Sequence, residues 1–596
     1  MSDLLPIADH GLVGDLRTAA VVGVDGTIGW FCPGRFDAPS VFASILDAER
    51  GGSWTITPDE EPRSRRQFYL PDSAVLVTRF HGDAGAAEVH DLMPILRPHD
   101  ADHRQRLVRR IRAVRGTVRL GTRIDVRPDY GRTGVEVEEV DGALLLTGDG
   151  VRLGLSADVA LEVHEGVVTA DLDLADGETA TFVLEVLHDT SSPAAEQDPD
   201  ALLAGTTTFW REWLARSTYT GRWREQVERS AITLKLLTHE PTGAIVAAPT
   251  ASLPEDPGGG RNWDYRYVWM RDAAFSLYAL LRLGFTDEAR DFVRWLSERL
   301  GDDADHELGP LRVLYDIDGG IPEEVELDHL SGYADSRPVR IGNAATGQLQ
   351  LDIYGELIDS VYLFNKYGPG ISHDAWQDLV RILGWLAEHW DEPDAGMWEI
   401  RDEPRHHTTS LLMCWVAFER MIRVARQRGL PGPIEEWLDV RDAIHAKIQD
   451  EGWDPNLQSY VQHEDSGALD AGLLLMPMVK FTSPADPRFL STLARVEERL
   501  VSDSLVFRYD LGQTPDGVDG TEGTFSMCSF WYVEALTRVG RLDEARLALE
   551  KMFTYSNHLG LYAEQVGLNG EQLGNFPQAF THLSLISAVI NLDRSL

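Results

Sequence analysis

The chain has 596 residues, too many for one ordinary hydrophobic core, so two large domains are the default. Asp and Glu outnumber Lys and Arg 96 to 55, a formal charge of −41, which disfavours nucleic acid and anionic membrane as partners and suits a neutral substrate. Cys32, Cys414 and Cys528 are too few and too far apart for a disulfide framework or a Cys-based metal site; no apolar run is long enough to span a membrane, and MSDLLPIADH lacks the form of a secretion signal, so a reducing, cytoplasmic setting is expected.

Residues 1–195 carry period-2 patterns broken by turn dipeptides. Val135 and Val137 alternate with Glu136 and Glu138, Asp141-Gly142 turns the chain, and Leu144 to Leu146 resume it. Leu172 and Leu174 alternate with Asp171 and Asp173 ahead of Asp176-Gly177, and Thr181 to Leu187 follow as another strand. This pattern predicts an antiparallel β-sandwich. Two stretches stand apart from it. DHGLVGDLRTAAVVGVDGTIGWFCPGRFDAPSVFASIL is Gly-rich and is expected to form a loop layer facing the second domain, and Arg104, Arg106, Arg109, Arg110, Arg112 and Arg115 alternate with apolar residues as a strand with a charged solvent face.

Residues 196–223 read as a linker, polar at first and then carrying Trp210 and Trp213 on a short amphipathic helix. From 224 to 596 the period becomes 3.6. Helices are predicted from about 224 and at 272–284, 287–300, 346–367, 373–390, 407–428, 434–450, 466–480, 487–502, 524–539, 542–555 and 576–592. Twelve helices with alternately long and short connections predict an (α/α)6 toroid whose long connections build a pocket at one end.

The chemistry-bearing residues fall in those connections. Asn262 to Asp272 reads NWDYRYVWMRD, a mixture of rings and ion-pairing groups suited to the apolar faces and hydroxyl belt of a sugar; a helix start with Asp272 in its first turn is the structural alternative. Hydrolysis of a glycosidic bond requires one carboxylic acid and one carboxylate. Glu399 directly follows Trp398, whose ring can shield it and keep it protonated, while Glu564 lies among polar neighbours in YAEQ, which suits an ionised base. Their structural alternatives are a surface Glu paired with Arg401 and a carboxylate capping the last helix. His406-His407 lacks a spaced partner for metal ligation, and no cofactor or metal is expected in the chemistry.

Three segments in this order, DYRYVWMRD, MWE and AEQ followed by GEQLGNFPQAFTH, resemble glycoside hydrolase family 15, the glucoamylase, glucodextranase and bacterial trehalase-like family, over nearly the whole chain. The resemblance implies Glu399 as general acid and Glu564 as general base. It implies Arg271 and Asp272 as ligands of the innermost glucose, Tyr265 beside the base and the attacking water, and Trp269 and Trp398 as walls. Arg337 and Arg340 in SRPVRIGNAA look like the family's R-P-x-R-x-G segment, Arg508 is a weaker sugar-binding candidate, and Glu324 and Glu326 sit in a segment frequent in the trehalase-like members without an assigned role. It further implies inversion by exo attack, with the carboxyl groups about 6.5–9.5 Å apart. Ile400 stands where fungal glucoamylases have a second acid and Asp335 where they have a Trp, which favours a short neutral substrate over starch. Short malto- or isomalto-oligosaccharides come first and trehalose nearly level. An inverting phosphorylase would need no base at Glu564, and a non-catalytic sugar-binding module would need neither carboxylate.

Overall fold

The computed structural model describes residues 4–95, 104–188, 193, 198–300, 309–368, 370–464 and 466–596; part of the expected linker lies outside them. Among these residues the N-terminal third forms two antiparallel sheets. One has seven strands in the order His10–Gly14, Ala19–Gly23, Thr27–Phe31, Ser53–Pro58, Val118–Asp125, Val167–Leu174 and Glu162–His164. The other has eight, in the order Glu136–Val140, Ala143–Gly148, Val151–Ala157, Thr179–Val186, Arg106–Gly116, Gly85–Leu92, Leu76–His81 and Ser64–Tyr69. Alternation sets the faces: Val167–Leu174 buries Val168, Ala170, Leu172 and Leu174 and turns Asp171 and Asp173 to solvent. The turn at Asp176-Gly177 does not close a hairpin. Val167–Leu174 pairs with Val118–Asp125, whereas Thr179–Val186 crosses to the other sheet and pairs with Arg106–Gly116, so both apolar faces meet in one core.

Two expectations are corrected here. The Gly-rich stretch near the N-terminus is not simply a loop layer: it contains three paired strands, although it does face the helical domain, where Trp30 Nε1 donates to the Pro249 carbonyl at 2.7 Å. The arginine-rich strand is not solvated along one whole face. Arg109 is fully buried, with Nε 2.7 Å from Asp91 and its Nη atoms on the carbonyls of Trp54 and Gly26 at 2.9 and 2.7 Å. A buried guanidinium is tolerable only with its donors matched in this way.

The helix Pro199–Leu214, capped by Asp198, packs Trp213 flat on Phe285 at 4.1 Å and leads into the helical half. There an inner ring is formed by Asp272–Leu283, Asp352–Tyr367, Thr408–Arg428, the 3-10 turn Ala471–Leu475, Ser526–Arg538 and Ala579–Ser595. Around it lie Arg224–Leu236, Thr286–Leu300, His373–His389, Ile434–Asp450, Pro487–Arg499 and Leu542–Thr554. This is an (α/α)6 barrel. Inner helices such as Ser526–Arg538 are buried almost all round, while outer Pro487–Arg499 buries only the stripe Phe489, Thr492, Leu493 and Val496. The helix expected at 466–480 is only that 3-10 turn, because Pro477 lacks the N–H a longer helix needs and clashes with the preceding turn.

The segments that carry the candidate site residues enter the N-terminal ends of the inner helices. Trp269 and Arg271 precede Asp272–Leu283, Glu399 precedes Thr408–Arg428, and Glu564 precedes Ala579–Ser595. They therefore converge on one mouth of the barrel.

Candidate active site

The stretch Asn262 to Asp272 divides between two tasks. Asp264 and Arg266 face the sandwich: Arg266 is fully buried, forks onto Asp264 at 2.9 and 2.6 Å, and reaches the Ala38 carbonyl at 2.8 Å and the Tyr130 hydroxyl at 2.9 Å. They lock the two halves together. Tyr265, Trp269, Arg271 and Asp272 face the other way, into a cavity of about 720 Å³ including its open mouth, within the usual size of a small-molecule site.

Glu399 and Glu564 both line this cavity, and each is held by one ring of a T-shaped pair, Tyr265 and Trp269, with centroids 5.1 Å apart. The Tyr265 hydroxyl donates to Glu564 Oε1 at 2.7 Å, and Trp269 Nε1 donates to Glu399 Oε1 at 2.6 Å. Arg271 Nη2 adds a charged bond to the same Glu399 oxygen at 3.0 Å, and its Nη1 donates to the Met397 carbonyl. Glu399 itself adopts a left-handed backbone, φ 58°, which turns the segment so that its side chain meets Trp269 and Arg271. Glu564 is buried, accepts a second bond from Gln578 Nε2 at 3.3 Å, and leaves Oε2 without a partner. Burial, then the nearby Glu255 carboxyl, push the Glu564 carboxyl well above the usual range.

The remaining expected residues divide as follows. Asp272 opens its helix and also lines the cavity, and burial raises its carboxyl to about 7. Trp398 lines the cavity but does not shield Glu399 through its N–H, which goes to Asp470 at 2.9–3.0 Å; the ring that holds Glu399 is Trp269. Arg508 reaches the wall with Nη2 2.6 Å from Glu522 and 3.5 Å from Asp516. Arg337 is exposed and stands outside the cavity, beside a surface groove. Its neighbour Arg340 instead stacks over Trp263 at 4.8 Å, and Arg401 covers the same ring at 4.0 Å. Glu324 braces this rim, with Oε2 accepting from Arg401 at 3.3 Å and from the Ala344 N–H at 3.0 Å and Oε1 3.5 Å from Arg340. Glu326 lies 3.7 Å from Arg340 and is mainly exposed.

Glu255, Arg261, Trp263, Asp516 and Gln578 also line the site and were not singled out by sequence. Gln578 lay inside the quoted GNFPQAFTH segment; Glu255 and Arg261 flank the Gly-rich turn just ahead of NWDYRYVWMRD, a position next to a motif that is the one signal available.

The sequence profile of "Glycosyl hydrolases family 15" matches residues 221–590, the whole barrel. The chain belongs to that family. A second profile, "Trehalase-like, N-terminal", matches residues 2–202 of this family 15 hydrolase. It is 37% identical to the trehalase of Mycobacterium tuberculosis, over 99% of this chain and 90% of that protein, and 35% identical to the trehalase of Thermoplasma volcanium, over 98% and 93%. Among solved structures, a bacterial glucoamylase complexed with acarbose superposes with a TM-score of 0.72 over 98% of this chain and 94% of its own, at 13% identity, a likeness of fold. The family 15 hydrolase acts on a sugar, and no helix among its described residues is long and apolar enough to cross a membrane.

Proposed function

We propose that this glycoside hydrolase is an α,α-trehalase that inverts the anomeric centre it attacks. The observation that carries the reading is full-length similarity, at 33–37% identity across both domains, to proteins named trehalase from mycobacteria and archaea. Malto- and isomalto-oligosaccharides, first on the sequence alone, give way to the disaccharide. The rim supports this: Trp263, a ring lining the cavity, is covered by Arg340 and Arg401 and so is not open for stacking a longer chain.

In the proposed reaction Glu399 is the acid and Glu564 the base. Glu399 Oε1 is held by Trp269 and Arg271, so Oε2 is the oxygen that carries the proton to the departing glycosidic oxygen. Glu564 Oε1 is fixed by Tyr265 and Gln578, which orients the carboxylate that takes a proton from the attacking water. Arg271 and Asp272 hold the glucose that is attacked, Trp398 forms its floor, and Arg508 acts through the wall carboxylates.

Proton NMR of the opening minutes tests the reading. Inversion at one centre of α,α-trehalose gives one β-glucose, while the departing sugar keeps its α configuration, so the two anomers appear in equal amounts before mutarotation. Hydrolysis of maltose or isomaltose with trehalose left intact overturns the substrate, and glucose 1-phosphate formed only with added phosphate overturns hydrolysis.

A further inference from the structure

The site contains a third buried carboxylate that the acid–base pair does not use. Glu255 directly follows the strand Ala251–Pro254 and is 4% exposed, with Oε2 accepting no hydrogen bond. Its segment is tied to that of Glu564, because the Gly574 N–H donates to the Pro254 carbonyl at 2.7 Å and the two side chains crowd the same glycine. A β-carbon on Gly574 would stand 2.9 Å from Glu564 Oε2 and 3.8 Å from Glu255 Cγ. Two carboxyls therefore share one dry corner, each with an open oxygen.

The charge around them is not sufficient for both to ionise. Arg261 and Arg508 are the guanidiniums that face Glu255, and both are engaged by other acids: Arg261 by Asp516 at 2.8 Å, Arg508 by Glu522 at 2.6 Å. Beside these lie Glu255, Glu564 and the Gln565 carboxamide, so two cations meet four carboxyls. Like charges at this range in a buried corner leave a proton on one partner. Each carboxyl leaves its Oε2 unpartnered, and the difference lies in the other oxygen: Glu564 Oε1 accepts from Tyr265 at 2.7 Å and from Gln578, which favours its charged form, while Glu255 has the Gln565 carboxamide and two guanidiniums already engaged by other acids. Resting on Glu564 as the base, we propose that Glu255 is its positioning residue: it carries the proton of the pair, leaves the charge on Glu564, and by ionising ends the active range on the alkaline side. Burial and then Glu522 push the Glu255 carboxyl up to about 7 against the pull of Arg508 and Arg261, and burial with Glu255 raises Glu564 as well, so the pair holds a proton at neutral pH.

α-Glucosyl fluoride separates this from loss of the acid's proton, because fluoride departs without protonation by Glu399. The parent enzyme is expected to keep an alkaline limb on glucosyl fluoride, and Glu255→Gln to lose it, running about tenfold faster than the parent one pH unit past the parent's midpoint when each is scaled to its own optimum. Absence of the limb in the parent, or its persistence at the same pH in Glu255→Gln, overturns the proposal. Infrared difference spectra need neither turnover nor that variant's stability. Asp272 and Asp394 also retain protons near neutral pH, so the band to follow is the further protonated-carboxyl band of the parent, which should titrate at lower pH in Glu564→Gln, where no neighbouring charge retains the proton. An unmoved band overturns the pairing. A parent that does not hydrolyse glucosyl fluoride at all speaks against the glucosidase reading instead, and the infrared result still decides the pairing.

Discussion

At the residue scale the assignment of roles rests on what each carboxylate oxygen touches. Glu399→Gln removes a proton donor and keeps the bonds from Trp269 and Arg271, so trehalose hydrolysis should fall by about 10²–10⁴-fold while glucosyl fluoride, which leaves unaided, loses far less. Equal losses on both substrates would remove Glu399 from the acid role. The two carboxylates were legible from sequence because each sits in a short motif of rings and amides. Their surroundings were not, since these come from distant parts of the chain: Trp269, which holds Glu399, is 130 residues away, and Tyr265, which holds Glu564, is 299 away. Adjacent Trp398 gives its N–H to Asp470 instead, and the polar neighbours of Glu564 in sequence do not prevent its burial in space.

At the element scale, the helices of the barrel were readable because apolar residues repeat every 3.6 positions, and the fourth inner member was misread because Pro477 interrupts an apolar run that otherwise suits a helix. The connections carry no such period, and their pairing through Glu324, Arg340, Arg401 and Trp263 appears only in three dimensions. That brace joins the connection containing residues 324–344 to the one containing Glu399 and Arg401. Glu324→Ala should release both guanidiniums from the rim. A network of partly exposed ion pairs is worth roughly 1 kcal/mol, so KM for the disaccharide should rise about fivefold with kcat changed less. A lowered melting temperature with KM unmoved would assign the brace to folding alone.

At the scale of the whole molecule, two independent effects set how stability depends on pH. Burial raises Asp394 to about 8 and Asp272 to about 7, well above ordinary aspartate. An acid with a raised folded pKa binds more protons folded than unfolded, so its contribution is complete below the unfolded pKa and is lost as pH rises toward the folded one, here between about 4 and 8. Burial also lowers His407 and His582 to about 3, and these neutral histidines cost stability only as pH falls below the ordinary imidazole value, about 6.5. From about 6.5 to 8, then, the buried acids titrate without an opposing term. The formal charge of −41 acts in the same direction, because each proton gained on acidification relieves self-repulsion in the compact state. Melting followed by circular dichroism should therefore give a higher midpoint near pH 6 than near pH 8. Added salt should narrow the gap by screening the surface charge without closing it, since the buried carboxyls lie beyond the reach of the ionic atmosphere. A midpoint that rises from pH 6 to 8 would mean that these buried carboxyls are hydrated and ionised in the folded enzyme. A gap abolished by salt would leave surface repulsion as its whole cause.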